Sequence, residues 1–201
     1  MKKMLFWYLV ALCTCLAGCV EYDPSTYIID DYGVSHHSVY YTKDKRGRDY
    51  FPLQIKPTGH RLFVFDPKAY AWAAYDAYGR RRMTGGASGG MDYCEDLKGP
   101  CRTVTGIFKM YHKRGVTCFS KEFPRETAGG TKMPYCMYFY RGYSIHAGFE
   151  VPYENKSHGC IRVFPSAAKW LNEVFMQNGT QVLVLSYTDE NGNDKTEPGG
   201  I

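Results

Sequence analysis

Nothing in this 201-residue sequence is long and apolar enough to cross a bilayer comfortably. Its N-terminal apolar run, Leu5 to Leu16, falls short of the about 20 residues that a spanning helix needs. No segment repeats. The glycine-rich stretch Met83 to Gly90, "MTGGASGG", lacks the Lys-Ser/Thr that completes a phosphate-cradling loop, and reads as a flexible loop. No Cys-x-x-Cys pair is present, and a zinc set drawn from His146, His158 and Cys160 has no evident fourth ligand, so no metal or other cofactor is expected. No histidine follows Cys160, because all 6 precede it. That excludes the papain-like order, in which the cysteine comes first and the histidine far downstream. Charge of one sign is scarce as well. A formal +5 spread along the chain argues against nucleic acid and suits, at most, an anionic wall polymer or lipid headgroups.

What is present begins with an export signal over residues 1–18. Lys2 and Lys3 precede the apolar run, which closes on "LAGC", Leu16 to Cys19. That tetrapeptide resembles the bacterial lipobox, which implies acylation at Cys19 and a mature protein held to a membrane by its lipid, facing the periplasm in the bacterial envelope. In such an oxidising space cysteines tend to pair. Of the 8 cysteines, Cys13 and Cys15 leave with the signal and Cys19 takes the lipid, so Cys94, Cys101, Cys118, Cys136 and Cys160 remain. The odd one is Cys160. The other four allow three connectivities, which sequence does not decide; the preferred pairing joins Cys94 to Cys101 and Cys118 to Cys136.

Abundant tyrosine and phenylalanine, 18 and 11 residues, with 21 glycines, favour a sheet-rich domain. Residues 19–54 are polar and aperiodic and read as a tether, part of which docks on the body. Residues 55–188 read as one folded domain, and 189–201 as a polar tail. "RLFVFD" and "YAWAAYDAYG" read as strands closed by turns, and "TVTGIFKMYHKRG" as a strand pair. "MPYCMYFYRGYSIH" reads as a strand whose period of two places Tyr138, Tyr140, Ser144 and His146 on one face. Pro165 to Gly179 carries a helix signal, with Phe164, Ala168, Leu171 and Phe175 on one stripe. "TQVLVLSY" is the last strand.

The chemistry concentrates in "HAGFEVPYENKSHGCIRV", His146 to Val163. A cysteine attacks as thiolate, and an ordinary thiol is only a few per cent ionised at neutral pH, so a neighbouring imidazole is needed. His146 and His158 are the candidates. Gly159 lets the chain turn sharply, so that amides near Gly159 and Cys160 can converge on an oxyanion.

"IHAG" followed by a short loop and "SHGCIRV" resembles the signature of the L,D-transpeptidase (YkuD-type) catalytic domain. "TVTGIF" is similar to that family's Thr-Pro-x-Gly-x-Phe stretch, and the resemblance spans roughly 55–187. Val104 stands where the family often has proline and Ala147 where glycine is common; the loop before Ser157 is short, which bears on substrate access. The resemblance implies a mainly β sandwich or barrel with few helices, one of them after the cysteine. It implies Cys160 as nucleophile and His146 as base, with Ser157, His158 and Gly159 orienting the histidine and forming the oxyanion hole. Arg162 braces the loop, the preferred reading, or meets a substrate carboxylate; Tyr143 and Tyr135 are placed with it as substrate contacts. The implied substrates are peptidoglycan tetrapeptide stems, with a second stem, a wall-anchored protein's lysine or water as acceptor. A sortase-like enzyme expects Thr-Leu-x-Thr-Cys, which is absent. The remaining alternatives are an L,D-carboxypeptidase and a non-catalytic wall-binding lipoprotein.

Overall fold

The computed structural model describes residues 45–188, together with the backbone of two short antiparallel strands, β1 (Tyr27–Ile29) and β2 (Ser35–His37). The expected export signal, Cys19 and the expected tail lie outside the described residues. Nine further strands form one sheet: β3 (Leu62–Asp66), β4 (Ala71–Tyr75), β5 (Arg81–Ser88), β6 (Gly106–Lys109), β7 (His112–Lys113), β8 (Met137–Tyr140), β9 (Tyr143–Ala147), β10 (Ile161–Val163) and β11 (Gln181–Val184). Their order is β6-β11-β3-β4-β5-β10-β9-β8-β7.

That order explains the curl of the sheet. β6 and β7 are consecutive in the chain yet occupy opposite edges, with only Met110 and Tyr111 between them. The Met110 N–H donates to Thr180 O on one side and the Tyr111 N–H to Tyr138 O on the other, both at 2.9 Å. The edges therefore approach each other, and Phe108 packs across the seam at 5.6 Å from Phe139 and 5.2 Å from Tyr140. The result is a mainly β half-barrel with one helix. The two strands expected over Thr103–Gly115 exist, but they do not pair with each other as a hairpin.

β3 and β4 are buried throughout, which accounts for their unbroken apolar runs. Phe63 and Phe65 face the main core, where Phe63 stacks on Trp72 at 5.5 Å, while Leu62 and Val64 join Ala71, Ala73, Tyr75 and Phe51 on the other face. Residues read as tether also lie on the body. Arg46 is buried and donates to Val151 O at 2.6 Å and Pro152 O at 2.7 Å.

Three local expectations are corrected. "MTGGASGG" is not a loop but most of β5, in the middle of the sheet between β4 and β10. Its glycines serve close approach: a Cβ on Gly85 would sit 3.3 Å from the Trp72 indole nitrogen, and one on Gly86 only 2.3 Å from the Arg46 guanidinium. "MPYCMYFYRGYSIH" is a hairpin rather than one strand, turning at Arg141–Gly142 with Arg141 at φ 46°. Part of the expected face survives the turn, because Tyr138 pairs opposite Ser144, but a register shift after Tyr138 sets Tyr140 opposite Tyr143 and against the main core. The helix is shorter than expected. α1 (Pro165–Trp170) runs into a π-turn over Leu171–Phe175, and Met176 is already extended. The expected stripe of Phe164, Ala168, Leu171 and Phe175 does enter the core.

Candidate active site

β9 and β10 run side by side and parallel, with Ile161 opposite Ile145 and Arg162 opposite His146. Side chains alternate between faces of a sheet. Ile145, Ala147, Ile161 and Val163 accordingly fall in the core, while Ser144, His146 and Arg162 share the other face. Cys160, one residue before β10, continues that face: its Sγ lies 3.6 Å from Ser144 Oγ. Four polar side chains are thus brought together by one register, over strands about 4.8 Å apart.

His146, Cys160 and Arg162 form the floor of a cavity of about 970 Å³, with Ser144 buried beneath it. Its walls come from three segments: 91–97, 120–133 and 141–150, with Ser157 and His158 beside the floor. Disulfides tie two of the walls. Cys94 is bonded to Cys101 and Cys118 to Cys136, and Cys160 is the free thiol among the described residues. Cys160 and Tyr138 pack against the cluster of Cys118, Met133 and Cys136.

His146 is buried at the strand end, and its Nδ1 lies 2.8 Å from Ala147 O. A carbonyl only accepts, so Nδ1 carries the proton and Nε2 is left with its lone pair. Burial disfavours the imidazolium and pulls the His146 pKa down to about 4; the Ala147 carbonyl opposes this and the Arg162 charge adds to it. Burial also pushes the Cys160 thiol up, against the hydroxyl and backbone N–H of Ser144 and the charge of Arg162, which pull it down. At neutral pH the resting pair is therefore a thiol and a neutral imidazole rather than an ion pair. Such an imidazole can take the thiol proton as the sulfur attacks.

The turn that presents Cys160 is held by its own residues. Gly159 sits at φ +118°, a conformation that side-chain-bearing residues rarely adopt, and the Tyr143 ring covers it, 2.4 Å from where a Cβ would stand. Ser157 Oγ donates to Cys160 O at 2.5 Å and accepts from the Gly159 N–H at 3.0 Å. That N–H is already committed, so it is not a free oxyanion donor in the resting site. Nor do residues 157–160 orient His146, whose partner is Ala147 on its own strand.

His158 is turned away as a base for Cys160: its Nε2 lies 2.9 Å from Asp96 Oδ1, and its ring packs 4.8 Å from that of Phe123. Cys94, Asp96 and His158 place ligand-type atoms within 4.8 Å of one another, but the Cys94 sulfur is in a disulfide and offers no thiolate. Tyr143 lines the cavity as expected. Tyr135 does not; it is buried in the main core. Arg162 lines the cavity too, with its methylenes packed over Gly148, but among the described residues its guanidinium makes no hydrogen bond or ion pair. The reading of Arg162 as a loop brace is therefore corrected.

Sequence reasoning missed Asp96 and the wall over 120–133, and it placed Ser144 on the right face without a role. The period of two was the available signal for Ser144.

A family model of the L,D-transpeptidase catalytic domain (YkuD) matches residues 53–184. No curated protein matches the sequence. Among solved structures, the chain is similar to an L,D-transpeptidase from Xylanimonas cellulosilytica, at 25% identity and a TM-score of 0.56 over 69% of this chain and 66% of that one. It is also similar to one from Stackebrandtia nassauensis, at 23% identity and 0.54 over 68% and 60%. A third is L,D-transpeptidase 3 from Mycobacterium tuberculosis in complex with a faropenem-derived adduct, at 19% identity and 0.52 over 63% and 60%. The chain spans less than two thirds of each of these structures.

Proposed function

The chain belongs to the L,D-transpeptidase catalytic-domain family, and from that premise we propose that it transfers acyl groups of peptidoglycan tetrapeptide stems through a thioester on Cys160. The observation that carries this reading is the shared face of Cys160, His146 and Arg162 at the floor of a substrate-sized cavity, with Ser144 against Cys160 beneath it.

In the proposed cycle, His146 Nε2 takes the thiol proton while Sγ attacks the carbonyl carbon of the bond joining diaminopimelate to the terminal D-Ala. The C–N bond then breaks, the His146 proton passes to the leaving amine, and D-Ala departs. An acceptor amine attacks the thioester, loses its proton to His146, and the returning thiolate is reprotonated. Arg162 faces the cavity with its guanidinium unengaged among the described residues, so it takes the carboxylate role, for which its planar fork is suited. We place the enzyme on the envelope side of a bacterial membrane, anchored by a lipid on Cys19. A fatty-acid probe that labels the full chain and not Cys19→Ala tests that placement.

The function itself is tested by incubating the protein with a tetrapeptide stem and an amine acceptor. Release of D-Ala with formation of the new amide supports the reading. Intact donor in the presence of folded protein, with both disulfides closed and Cys160 free, argues against it. A relative has been solved with a faropenem-derived adduct, so faropenem serves as a donor analogue.

A further inference from the structure

At the edge of the site, a polar contact between half-exposed side chains joins the nucleophile loop to a hairpin far from it in sequence. We propose that the disulfide-closed hairpin Cys94–Cys101 positions the nucleophile, with Asp96 as its positioning residue acting through His158. This deepens the acyl-transfer reading of the site and rests on it.

The loop is held at two successive residues, at Ser157 by the segment 89–91 that leads into the hairpin and at His158 by the hairpin itself. The Met91 N–H donates to Ser157 O at 2.9 Å, while the Ser157 N–H donates to Gly89 O at 2.9 Å, which fixes the backbone at the start of the turn. One residue on, Asp96 Oδ1 takes the side chain of His158 at 2.9 Å. A carboxylate only accepts, so His158 Nε2 carries the proton and donates. The opposite wall completes the clamp, since the Phe123 ring lies 4.8 Å from the imidazole.

The effect on Cys160 follows from the spacing. His158 is two residues before the nucleophile, and the chain between them turns through Gly159 at φ +118°. Glycine has the least resistance to rotation, so a loop hinged there keeps its shape only if the residue before the hinge is held. With His158 held, the Ser157 hydroxyl can bridge Gly159 N–H and Cys160 O, and Sγ is left against Ser144 on the His146 face. With His158 free, the imidazole is no longer kept from the thiol and Cys160 is no longer confined to one direction.

Asp96 itself depends on the disulfide. Its hairpin is mostly exposed and turns through Lys98 in the left-handed region, at φ 50°. Apart from short turn contacts, such as Cys94 N–H to Gly99 O at 2.9 Å, it has no core of its own. The covalent closure, across Cα atoms 5.9 Å apart, is what confines it. The protein thus needs one cysteine reduced and another pair oxidised at the same site. A dithiol reductant that keeps Cys160 free also cleaves the Cys94–Cys101 bond, giving two thiols at the expense of its own oxidation.

The experiment compares full-length wild type with Asp96→Ala, Asp96→Asn, His158→Ala, Asp96→Ala/His158→Ala and Cys94→Ser/Cys101→Ser. Three quantities are read: faropenem acylation by mass spectrometry over a concentration series, alkylation of Cys160 by iodoacetamide, and melting temperature. Misplacing a reacting atom by about 1 Å costs up to roughly 100-fold, so Asp96→Ala is expected to slow the saturating acylation step ~10-fold or more. The half-saturating concentration should stay within about twofold, since a positioning residue acts on the rate of attack rather than on donor binding. Asp96→Asn, which retains an oxygen acceptor, should recover most of the rate. The double variant should be no slower than His158→Ala alone, because the two residues act as one unit. The cysteine-pair variant should resemble Asp96→Ala. Wild-type rates in Asp96→Ala, or additive losses in the double variant, overturn the proposal. A wild type that resists faropenem counts against the acyl-transfer reading instead; the alkylation series then decides the positioning role, since unchanged alkylation across the variants refutes it.

Discussion

Ser144 Oγ lies 3.6 Å from Cys160 Sγ, on the strand that also carries His146. A hydroxyl at that distance favours the thiolate over the thiol, and it offsets part of the burial that pushes the thiol pKa upward. Ser144→Ala removes this support without removing the base. Iodoacetamide alkylation of Cys160 followed against pH should show the thiol titrating higher, with a rate at neutral pH lower by roughly threefold to tenfold. An unchanged profile would mean that the contact has no influence on the thiolate.

His146 gives a pH signature in stability. Its pKa is about 4 in the folded protein and the ordinary imidazole value is 6.5, so between these values the unfolded chain binds more protons. Stability therefore rises with pH across that window. The contribution is complete above 6.5 and is lost as pH falls towards 4, amounting to on the order of 3 kcal/mol. Urea unfolding of wild type and His146→Gln at pH 4.5 and 7 checks this. The variant should lose less stability on acidification than the wild type; equal losses would contradict the assignment.

Catalysis carries the same signature. A neutral imidazole is the base, so the acid limb of faropenem acylation should fall well below pH 6, nearer the folded value of about 4. An acid limb at the ordinary imidazole value would indicate that His146 is solvated during turnover.

Arg162→Lys keeps the charge but loses the fork. The guanidinium has no hydrogen-bonding partner among the described residues, so the variant should melt within a degree or two of wild type and alkylate at a similar rate. Acylation by a tetrapeptide stem should weaken by about 1.5–3 kcal/mol, the range for a lost charge-assisted hydrogen bond. A lowered melting temperature with unimpaired stem acylation would restore the brace.

The disulfides predict a thiol count. Protein lacking residues 1–19 and recovered from an oxidising compartment should titrate one thiol when denatured without reductant, and five after reduction. Five thiols before reduction would refute both bridges.

Much of this site was legible because its signals are local. Gly159 and Cys160 are adjacent, and the alternation Ser144–His146 is a period-two pattern that survives whatever the strand pairs with. The register that sets Arg162 opposite His146 is not local, since the loop 148–160 does not say which strand comes next to which. Asp96 stands 62 residues from His158, and its carboxylate has no local pattern to mark it. Gly85 and Gly86 were misread for a different reason. Glycine marks flexibility and close approach with the same letter, and only the fold supplies the Trp72 indole and the Arg46 guanidinium that fill the space. The seam at Met110 and Tyr111 escaped notice likewise, because two short strands joined by two residues look like a hairpin until their partners are known.

The most direct test of the central claim is intact-protein and peptide mass spectrometry of the full chain after exposure to a tetrapeptide stem. The account predicts a mass increase matching the stem without its terminal D-Ala, located on the peptide carrying Cys160, removed by an amine acceptor and absent from Cys160→Ala. Release of D-Ala that persists in folded Cys160→Ala, or an adduct borne by any other residue, would contradict it.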